Sequence, residues 1–234
     1  MKTENMTARL VSTIKNDVIM GKLKAGEKLL PLRELAEAHG VSRSVVNAAI
    51  SSLAAQGYVR IVPRHHVEVA DFLTSGTLGI VGDVIRSENH ALKRKLTQDS
   101  LSLRMVLTID AVKTIANSAR TSLQPLVRIL EREQQWLAHP IKDYAKFWKF
   151  DQAFNETLVS LGDNYAYRLL YRNYRYIADG LIVMFFHNLD LITYLIEKHQ
   201  QLLSALRDHD EKAAVAIARE MLSAGANEAL RFYA

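Results

Sequence analysis

The chain has no cysteine among its 234 residues, which excludes disulfides, thiolate metal sites and a cysteine nucleophile. It also lacks a long hydrophobic run. The longest strongly apolar stretch, Leu181 to Phe186, is far too short to span a membrane. The N-terminal residues lack the apolar stretch of a secretion signal. Together these absences predict a cytoplasmic protein with no membrane partner.

Common signatures of catalysis are missing as well. The sequence contains no glycine-rich phosphate loop, no His-Glu-x-x-His motif and no nucleophile elbow. Eight histidines and 25 acidic residues can in principle build a catalytic site without such a motif. Since no recognisable arrangement of them is present, we expect that the protein is not an enzyme.

The strongest pattern that is present covers residues 32–53, where two short amphipathic helical patterns flank a glycine. This is the form of a helix-turn-helix. Gly40 lies where a chain leaving a helix can use a positive φ angle, and Ser42 is placed to cap the second helix. The predicted apolar faces consist of Leu32, Leu35 and Ala36, then Val46, Ala49, Ile50 and Leu53.

The second predicted helix has a polar face once its apolar stripe points inward. Arg43, Ser44, Asn47 and Ser51 lie on that face, and side chains of these types reach bases and phosphates in the major groove. Arginine can form two hydrogen bonds with guanine, and asparagine can do the same with adenine. The alternative interpretation is an ordinary helical hairpin in which Arg43 is a solvated charge.

Charge and a predicted hairpin favour the DNA-binding interpretation. Residues 1–70 hold 10 Lys and Arg against 6 Asp and Glu, whereas residues 71–234 hold 20 against 19. The basic surplus therefore lies in the segment that carries the helix-turn-helix, as expected if this segment contacts phosphates. Two β-branched runs, at 58–62 and 67–69, predict a two-stranded hairpin with Arg64 and His65 at its turn.

The chain is predicted to be mainly α-helical, with an N-terminal winged helix-turn-helix and a C-terminal bundle of six or seven helices. The predicted divisions are a DNA-binding domain over 1–70, a connector over 71–90, and a helical effector-binding and dimerisation domain over 91–234. The helical pattern repeats to the end of the chain. It predicts helices near 77–87, 92–117, 122–138, 141–161, 164–187, 190–208 and 211–232.

Residues 7–69 resemble the DNA-binding domain of the GntR family of bacterial transcription regulators, and the helical half resembles the FadR branch of that family. The resemblance implies a homodimer that binds a pseudo-palindromic, double-stranded operator. It also implies a small-molecule effector, bound in the helical domain, that changes the spacing of the DNA-binding domains. The matching residues are Gly21, Leu23, Gly26, Leu29, Arg33, Glu34, Leu35, Ala36, Val41, Ser42, Arg43, Leu53 and Gly57.

The same resemblance implies roles for particular residues in DNA binding. Arg33, Arg43 and Ser44 match family positions that touch bases or backbone, and we expect Ser42 and Ser44 to hold phosphates. Asn47 stands where many members have a second arginine, so the preferred bases should differ. The wing tip lacks its usual glycine, and we expect Arg64 to contact a phosphate and His65 to lie beside it.

Many members of this branch hold a metal ion with one aspartate and three histidines. Asp151 and His199 match two of these positions, but Asn155 and Met221 stand where histidines are expected. An asparagine offers only a neutral oxygen, and a thioether is a poor ligand for a hard or borderline divalent ion. We therefore expect no metal and no other cofactor.

Polar residues at inward positions of the helical half predict an effector pocket. Its predicted members are Arg104, Asp151, Asn155 and His199, together with Tyr171 and Arg172. In the family the arginine that matches Arg104 often grips an acidic effector. The alternatives are a structural ion pair with a core histidine, and an aromatic packing stripe whose arginines, Arg168, Arg172 and Arg175, are solvated or face a partner subunit.

The sequence thus predicts a dimeric, sequence-specific regulator whose operator affinity is controlled by a small acidic metabolite. One alternative is an acyl-CoA-responsive regulator of fatty-acid metabolism. Ala226 and Leu230 weaken it, because the fatty-acyl-responsive member of the family uses a serine and a tryptophan there. A second alternative is a ligand-independent architectural protein, which would bind DNA with little sequence preference.

Overall fold

The computed structural model describes residues 2–141, 143–171 and 188–231. The chain divides into two compact units, Met1–Lys93 and Arg94–Ala234. The predicted fold class is confirmed, with a mainly helical chain and one two-stranded antiparallel sheet in the described residues. No helix in the described ranges is both long and apolar enough to cross a membrane.

The N-terminal unit begins with three helices and a β-hairpin, as the sequence predicts. The elements are α1 (Lys2–Ile19), α2 (Leu32–His39), α3 (Arg43–Ala55), β1 (Val59–Val62), β2 (His66–Val69), α4 (Phe72–Ser75) and α5 (Gly79–Ile85). Helix α3 packs against both α1 and α2 and buries the predicted stripe of Val46, Ala49, Ile50 and Leu53. The core of this unit therefore lies between α3 and the two helices α1 and α2.

Two local features fix the turn between α2 and α3. Gly40 ends α2 with a left-handed φ of 61°, a conformation that glycine adopts without a steric penalty. Ser42 then caps α3, because its side-chain oxygen accepts a hydrogen bond from the backbone N–H of Val45 at 3.4 Å. The turn aims the N-terminal end of α3 outward.

The hairpin pairs β1 and β2 in register from Val59 opposite Val69 to Val62 opposite His66. The three-residue turn places Arg64 at a φ of 63°, where many related turns use glycine. On one face of the hairpin, Glu68 accepts hydrogen bonds from Arg60 and contacts His66 at 3.3 Å. The wing forms without a glycine at its tip.

Within the N-terminal unit, one carboxylate joins the connector that follows the hairpin to α1 and to Tyr58. Asp83 on α5 accepts hydrogen bonds from Lys15 at 2.8 Å, from the Tyr58 hydroxyl at 2.9 Å and from Arg86 at 3.1 Å. We call these four residues the Asp83 cluster. Burial, and then the charge of Asp83, raise the pKa of Tyr58 far above its ordinary value.

The C-terminal unit is a bundle of long helices, and its described part contains no strand. Its elements are α6 (His90–Ala116), which begins in the N-terminal unit, then α7 (Gln124–Ala138), α8 (Tyr144–Leu161), α9 (Leu189–Arg207) and α10 (Glu211–Arg231). Residues 165–171 are helical too. Helix α7 packs against α8 and α9, and α9 packs against α10. These bounds lie within a few residues of the predicted ones.

Candidate DNA-binding surface and buried polar cluster

The polar face of α3 is open to solvent, as the sequence predicts. Arg43, Ser44 and Asn47 are exposed. In the described part of the chain, the side chains of Arg43 and Asn47 have no hydrogen-bond or ionic partner. Ser42 and Ser44 lie with their hydroxyl oxygens 2.8 Å apart at the N-terminus of α3. This end of a helix attracts anions, because its backbone N–H groups point outward.

The other predicted DNA-binding residues are exposed around the same unit. Arg33 on α2 pairs with Glu37 one turn later at 3.0 Å, an exposed ion pair that exchanges readily for a phosphate contact. Arg64 and His65 are exposed at the wing tip. Hydrogen bonds from Arg60 and then His66 lower the pKa of Glu68. Because Glu68 neutralises Arg60, the arginine of the wing that can contact a phosphate is Arg64 at its tip.

A buried polar cluster lies in the C-terminal unit among α7, α8 and α9. We define it as Glu133, Asp151, Asn155 and His199, each less than 5% exposed. The Nδ1 atom of His199 lies 2.9 Å from one carboxylate oxygen of Glu133 and 3.1 Å from the other. Phe154 stacks on the imidazole with ring centroids 3.8 Å apart. The ring of His199 is thus held at one edge and along one face.

The remaining edge of His199 faces α8. Its Nε2 atom lies 3.7 Å from Oδ1 of Asp151, which is longer than a hydrogen bond. Asn155, one turn after Asp151, donates its side-chain N–H to the backbone oxygen of Asp151 at 2.8 Å. The Nε2 atom of His199 and the Oδ1 atom of Asn155 are buried without a hydrogen-bond partner in the described residues.

Arg104 and Tyr171 contact each other, and the charge of Asp151 acts on Tyr171. The Nε atom of Arg104 donates to the hydroxyl oxygen of Tyr171 at 3.2 Å. Burial raises the pKa of Tyr171, Arg104 acts in the opposite direction, and the charge of Asp151 raises it further. The structure therefore places Arg104 against Tyr171, and it gathers Asp151, Asn155 and His199 in the buried polar cluster. Arg172, predicted beside them, lies outside the described residues.

Sequence reasoning missed Glu133, although the sequence contained a signal for it. Leu126, Leu130 and Glu133 follow the spacing i, i+4, i+7, so the carboxylate falls on the apolar stripe of α7. Arg168, predicted as a solvated or partner-facing arginine of an aromatic stripe, is exposed and donates to the backbone oxygen of Ser160 near the end of α8. The other two arginines of that stripe, Arg172 and Arg175, lie outside the described residues.

The residues present do not fit the four-ligand metal set that the family resemblance implies. Asp151 and His199 occupy two positions, but Asn155 supplies a neutral oxygen and Met221 a buried thioether. In the described ranges no group of three or more His, Cys, Asp or Glu side chains is arranged to hold a metal ion.

Comparison with known proteins assigns the two units. Residues 6–69 match the family model for bacterial regulatory proteins of the gntR family, and residues 99–224 match the model for the FCD domain. The chain belongs to the GntR family and carries an FCD domain. It is therefore a DNA-binding transcription regulator with an FCD effector domain, and its family is one of regulators rather than enzymes.

Similar proteins cover nearly the whole length of this regulator. The Uxu operon regulator of Haemophilus influenzae is 26% identical over 213 residues, which is 88% of this chain and 75% of that protein. The structure of a GntR protein of Streptococcus agalactiae has a TM-score of 0.51 at 20% identity, covering 96% of this chain and 99% of that one.

Another solved structure has the same fold. The structure of Lar, which controls expression of the agr system in Listeria monocytogenes, has a TM-score of 0.62 at 17% identity and covers 96% of each chain. At these identities the structural likeness establishes the fold of this regulator. The DNA-binding interpretation of α3 rests on the family match and on the exposed residues described above.

Proposed function

We propose that this regulator binds a pseudo-palindromic operator as a homodimer of the FadR type. We further propose that a small acidic metabolite, bound at the buried polar cluster and Arg104, changes its affinity for that operator. The observation that carries the proposal is the exposed polar face of α3, where Arg43 and Asn47 have no partner within the described protein. Side chains in this state are ready to pair with base edges.

The C-terminal unit offers a surface for the second subunit. Leu103 and Val106 on α6 are 39% and 62% exposed, and Leu169 is 66% exposed. Tyr171 bonds to Arg104 on α6, which places the segment that carries Leu169 beside that helix. Large exposed apolar side chains grouped on two neighbouring segments favour contact with another protein. A dimer also supplies the two DNA-binding domains that a two-fold symmetric operator needs.

The acidic nature of the effector is supported by Arg104. A guanidinium binds a carboxylate through parallel hydrogen bonds, and the family resemblance gives the matching arginine this role. Any effector that changes operator affinity must itself bind differently to the free and the DNA-bound protein. The ligand therefore has to favour one of these two states.

The decisive experiment replaces Arg43 with alanine. Loss of a two-fold hydrogen bond to guanine should reduce affinity for an operator, selected from random DNA, by about 1–3 kcal/mol. Affinity for random DNA at the same salt concentration should change much less, because phosphate contacts dominate non-specific binding. Both affinities are measured by fluorescence anisotropy.

The matched control is Arg128→Ala, which removes an exposed arginine from α7 in the other unit. It should leave both affinities unchanged. Equal losses of specific and non-specific affinity in Arg43→Ala would show that Arg43 contacts only phosphate, contrary to the proposal.

A further inference from the structure

We propose that the C-terminal unit has a second binding site, a groove between α7 and α8, and that this site takes an aromatic carboxylate. The groove has a volume of about 660 Å³, which is in the range of small-molecule sites. None of the four residues of the buried polar cluster lines it. We call it the α7–α8 groove, and its characteristic residues are Arg132, Gln135, Trp136, Ile141, Lys146 and Phe150.

Hydrogen bonds fix the connection between α7 and α8, which lines part of the groove. The indole Nε1–H of Trp136 donates to the backbone oxygen of Asp143 at 2.7 Å, and this bond ties the last turn of α7 to the start of α8. The Nδ1 atom of His139 lies 2.9 Å from the backbone oxygen of Ile141. Because the connection is already ordered, a ligand that binds beside it loses little free energy to the ordering of the site.

The groove carries positive charge on both of its helices. Arg132 on α7 and Lys146 on α8 are exposed, and neither forms an ion pair within residues 2–141, 143–171 and 188–231. Asp143, the acidic residue of the lining, caps α8 by accepting a hydrogen bond from the backbone N–H of Lys146 at 3.1 Å. The helix N-terminus offsets the charge of this carboxylate. Two unpaired cations therefore favour an anion, and a guanidinium matches the two oxygens of a carboxylate.

The apolar part of the groove is mainly aromatic. Trp136 is 5% exposed, and its ring is held by Tyr144 and Phe147, with ring centroids 5.9 and 5.1 Å away. Phe150 is half-buried, and Ile141 is 77% exposed. A ligand that covers these side chains removes apolar surface from water. Aromatic rings that pack on one another gain more than their buried area alone gives, so a ring fits this surface better than a saturated body.

These features together define the class of ligand. The two cations select an anion, and the aromatic lining selects a ring. Gln135 adds an exposed amide, which can hydrogen-bond to a carboxylate or to a substituent on the ring. Apolar walls with a few polar groups are typical of small-molecule sites. An aromatic carboxylate combines the required charge and the required ring in one small molecule.

The test is calorimetric titration of the full-length regulator with compounds that differ in one property. Benzoate, naphthoate and indoleacetate have both a ring and a carboxylate. Benzamide and naphthamide keep the ring without the charge, and cyclohexanecarboxylate keeps the charge without the aromatic ring. At least one aromatic carboxylate should bind on the order of tenfold more tightly than its amide, and benzoate should bind more tightly than cyclohexanecarboxylate. Added salt should reduce the difference between carboxylate and amide, because exposed charges are screened.

Two matched double variants locate the ligand. Arg132→Gln with Lys146→Gln removes both cations of the groove, and affinity for the aromatic carboxylate should fall on the order of tenfold, to that of the amide. Arg128→Gln with Lys149→Gln removes the same charge from exposed positions of the same two helices that do not line the groove. This second variant should bind the carboxylate as the wild type does. Melting temperatures report whether each variant folds, and the wild-type compound series decides the question independently.

Several results would overturn the inference. They are binding of no aromatic carboxylate, equal affinities for a carboxylate and its amide, and tighter binding of cyclohexanecarboxylate than of benzoate. Equal losses of affinity in the two double variants would show that net charge, and not the groove, attracts the ligand. Unchanged affinity in Arg132→Gln with Lys146→Gln would place the compound elsewhere in the protein, and it would leave the proposed acidic effector of the buried polar cluster standing.

Discussion

The candidate DNA-binding surface on α3 and the buried polar cluster use polar side chains in opposite ways. On α3, Arg43 and Asn47 are exposed and have no partner in the described chain. In the cluster, Glu133 and His199 are fully buried and bonded to each other. An exposed polar group without a partner is stabilised by water until DNA replaces it. A buried one must find its partner within the fold or in a ligand.

Because of this difference, substitutions in the two units should affect function and stability differently. Substitutions on the exposed face of α3 should change DNA binding and leave the fold intact, because surface side chains contribute little to folding. Substitutions in the buried cluster should change stability and ligand binding together.

The largest effect is expected for Glu133→Leu, which leaves the Nδ1–H group of His199 buried without a partner. The free energy of unfolding of the C-terminal unit should fall by about 3 kcal/mol. Urea denaturation followed by tryptophan fluorescence measures this, because both tryptophans, Trp136 and Trp148, lie in that unit. Glu131→Leu, at an exposed position of the same helix, should change stability by less than about 0.5 kcal/mol.

Asn47→Ala should have the opposite profile. If Asn47 contacts an adenine, discrimination at that base pair should fall by about 1–3 kcal/mol, while stability changes by less than about 0.5 kcal/mol. Operators selected from random DNA by the wild type and by the variant provide the measurement. An identical base preference at every position would show that Asn47 does not read sequence.

Tyr58→Phe tests the Asp83 cluster within the N-terminal unit. Removing the hydroxyl that donates to Asp83 should cost about 1 kcal/mol of stability. Because the folded pKa of Tyr58 is raised, its contribution is complete below pH 10.0, the ordinary value, and is lost as the pH rises above it. The variant should therefore lose less stability than the wild type between neutral pH and pH 11. Unfolding followed by circular dichroism at each pH measures both stabilities. An equal dependence of stability on pH in the wild type and the variant would contradict the assignment.

The smallest effect is expected for Glu68→Gln on the wing. Since hydrogen bonds lower the folded pKa of Glu68, its contribution is present above pH 4.5, its ordinary value, and is lost as the pH falls through the folded pKa. The variant should be slightly less stable than the wild type at pH 7, and the two should converge in acid. A difference that persists unchanged into acid would rule out the ion pair as its cause.

The parts of this molecule that sequence could predict depend on neighbours in the chain. The cap at Ser42, the left-handed Gly40 and the wing strands all follow from local pattern, and so does the inward position shared by Asp151 and Asn155. The exposure of the polar face of α3 follows from the apolar stripe on its opposite face. These features require no knowledge of how distant elements pack.

The parts that escaped prediction depend on long-range packing. Glu133 and His199 are 66 residues apart, and their contact exists because α7 packs against α9. The apolar stripe of α7 indicates the inward position of Glu133, but it does not indicate that His199 is its partner. Likewise, Asp83 meets Lys15 across 68 residues, a pairing that no local pattern encodes.

The Asp83 cluster has a practical consequence for hybrid regulators. A cut after the wing would leave the buried Tyr58 hydroxyl and the ammonium of Lys15 without their carboxylate. Grafting this protein's operator specificity onto a foreign sensor therefore requires carrying the chain at least through Arg86. The point at which one DNA-binding domain can be exchanged for another is therefore set by the last residue that forms such an ion pair or hydrogen bond with it.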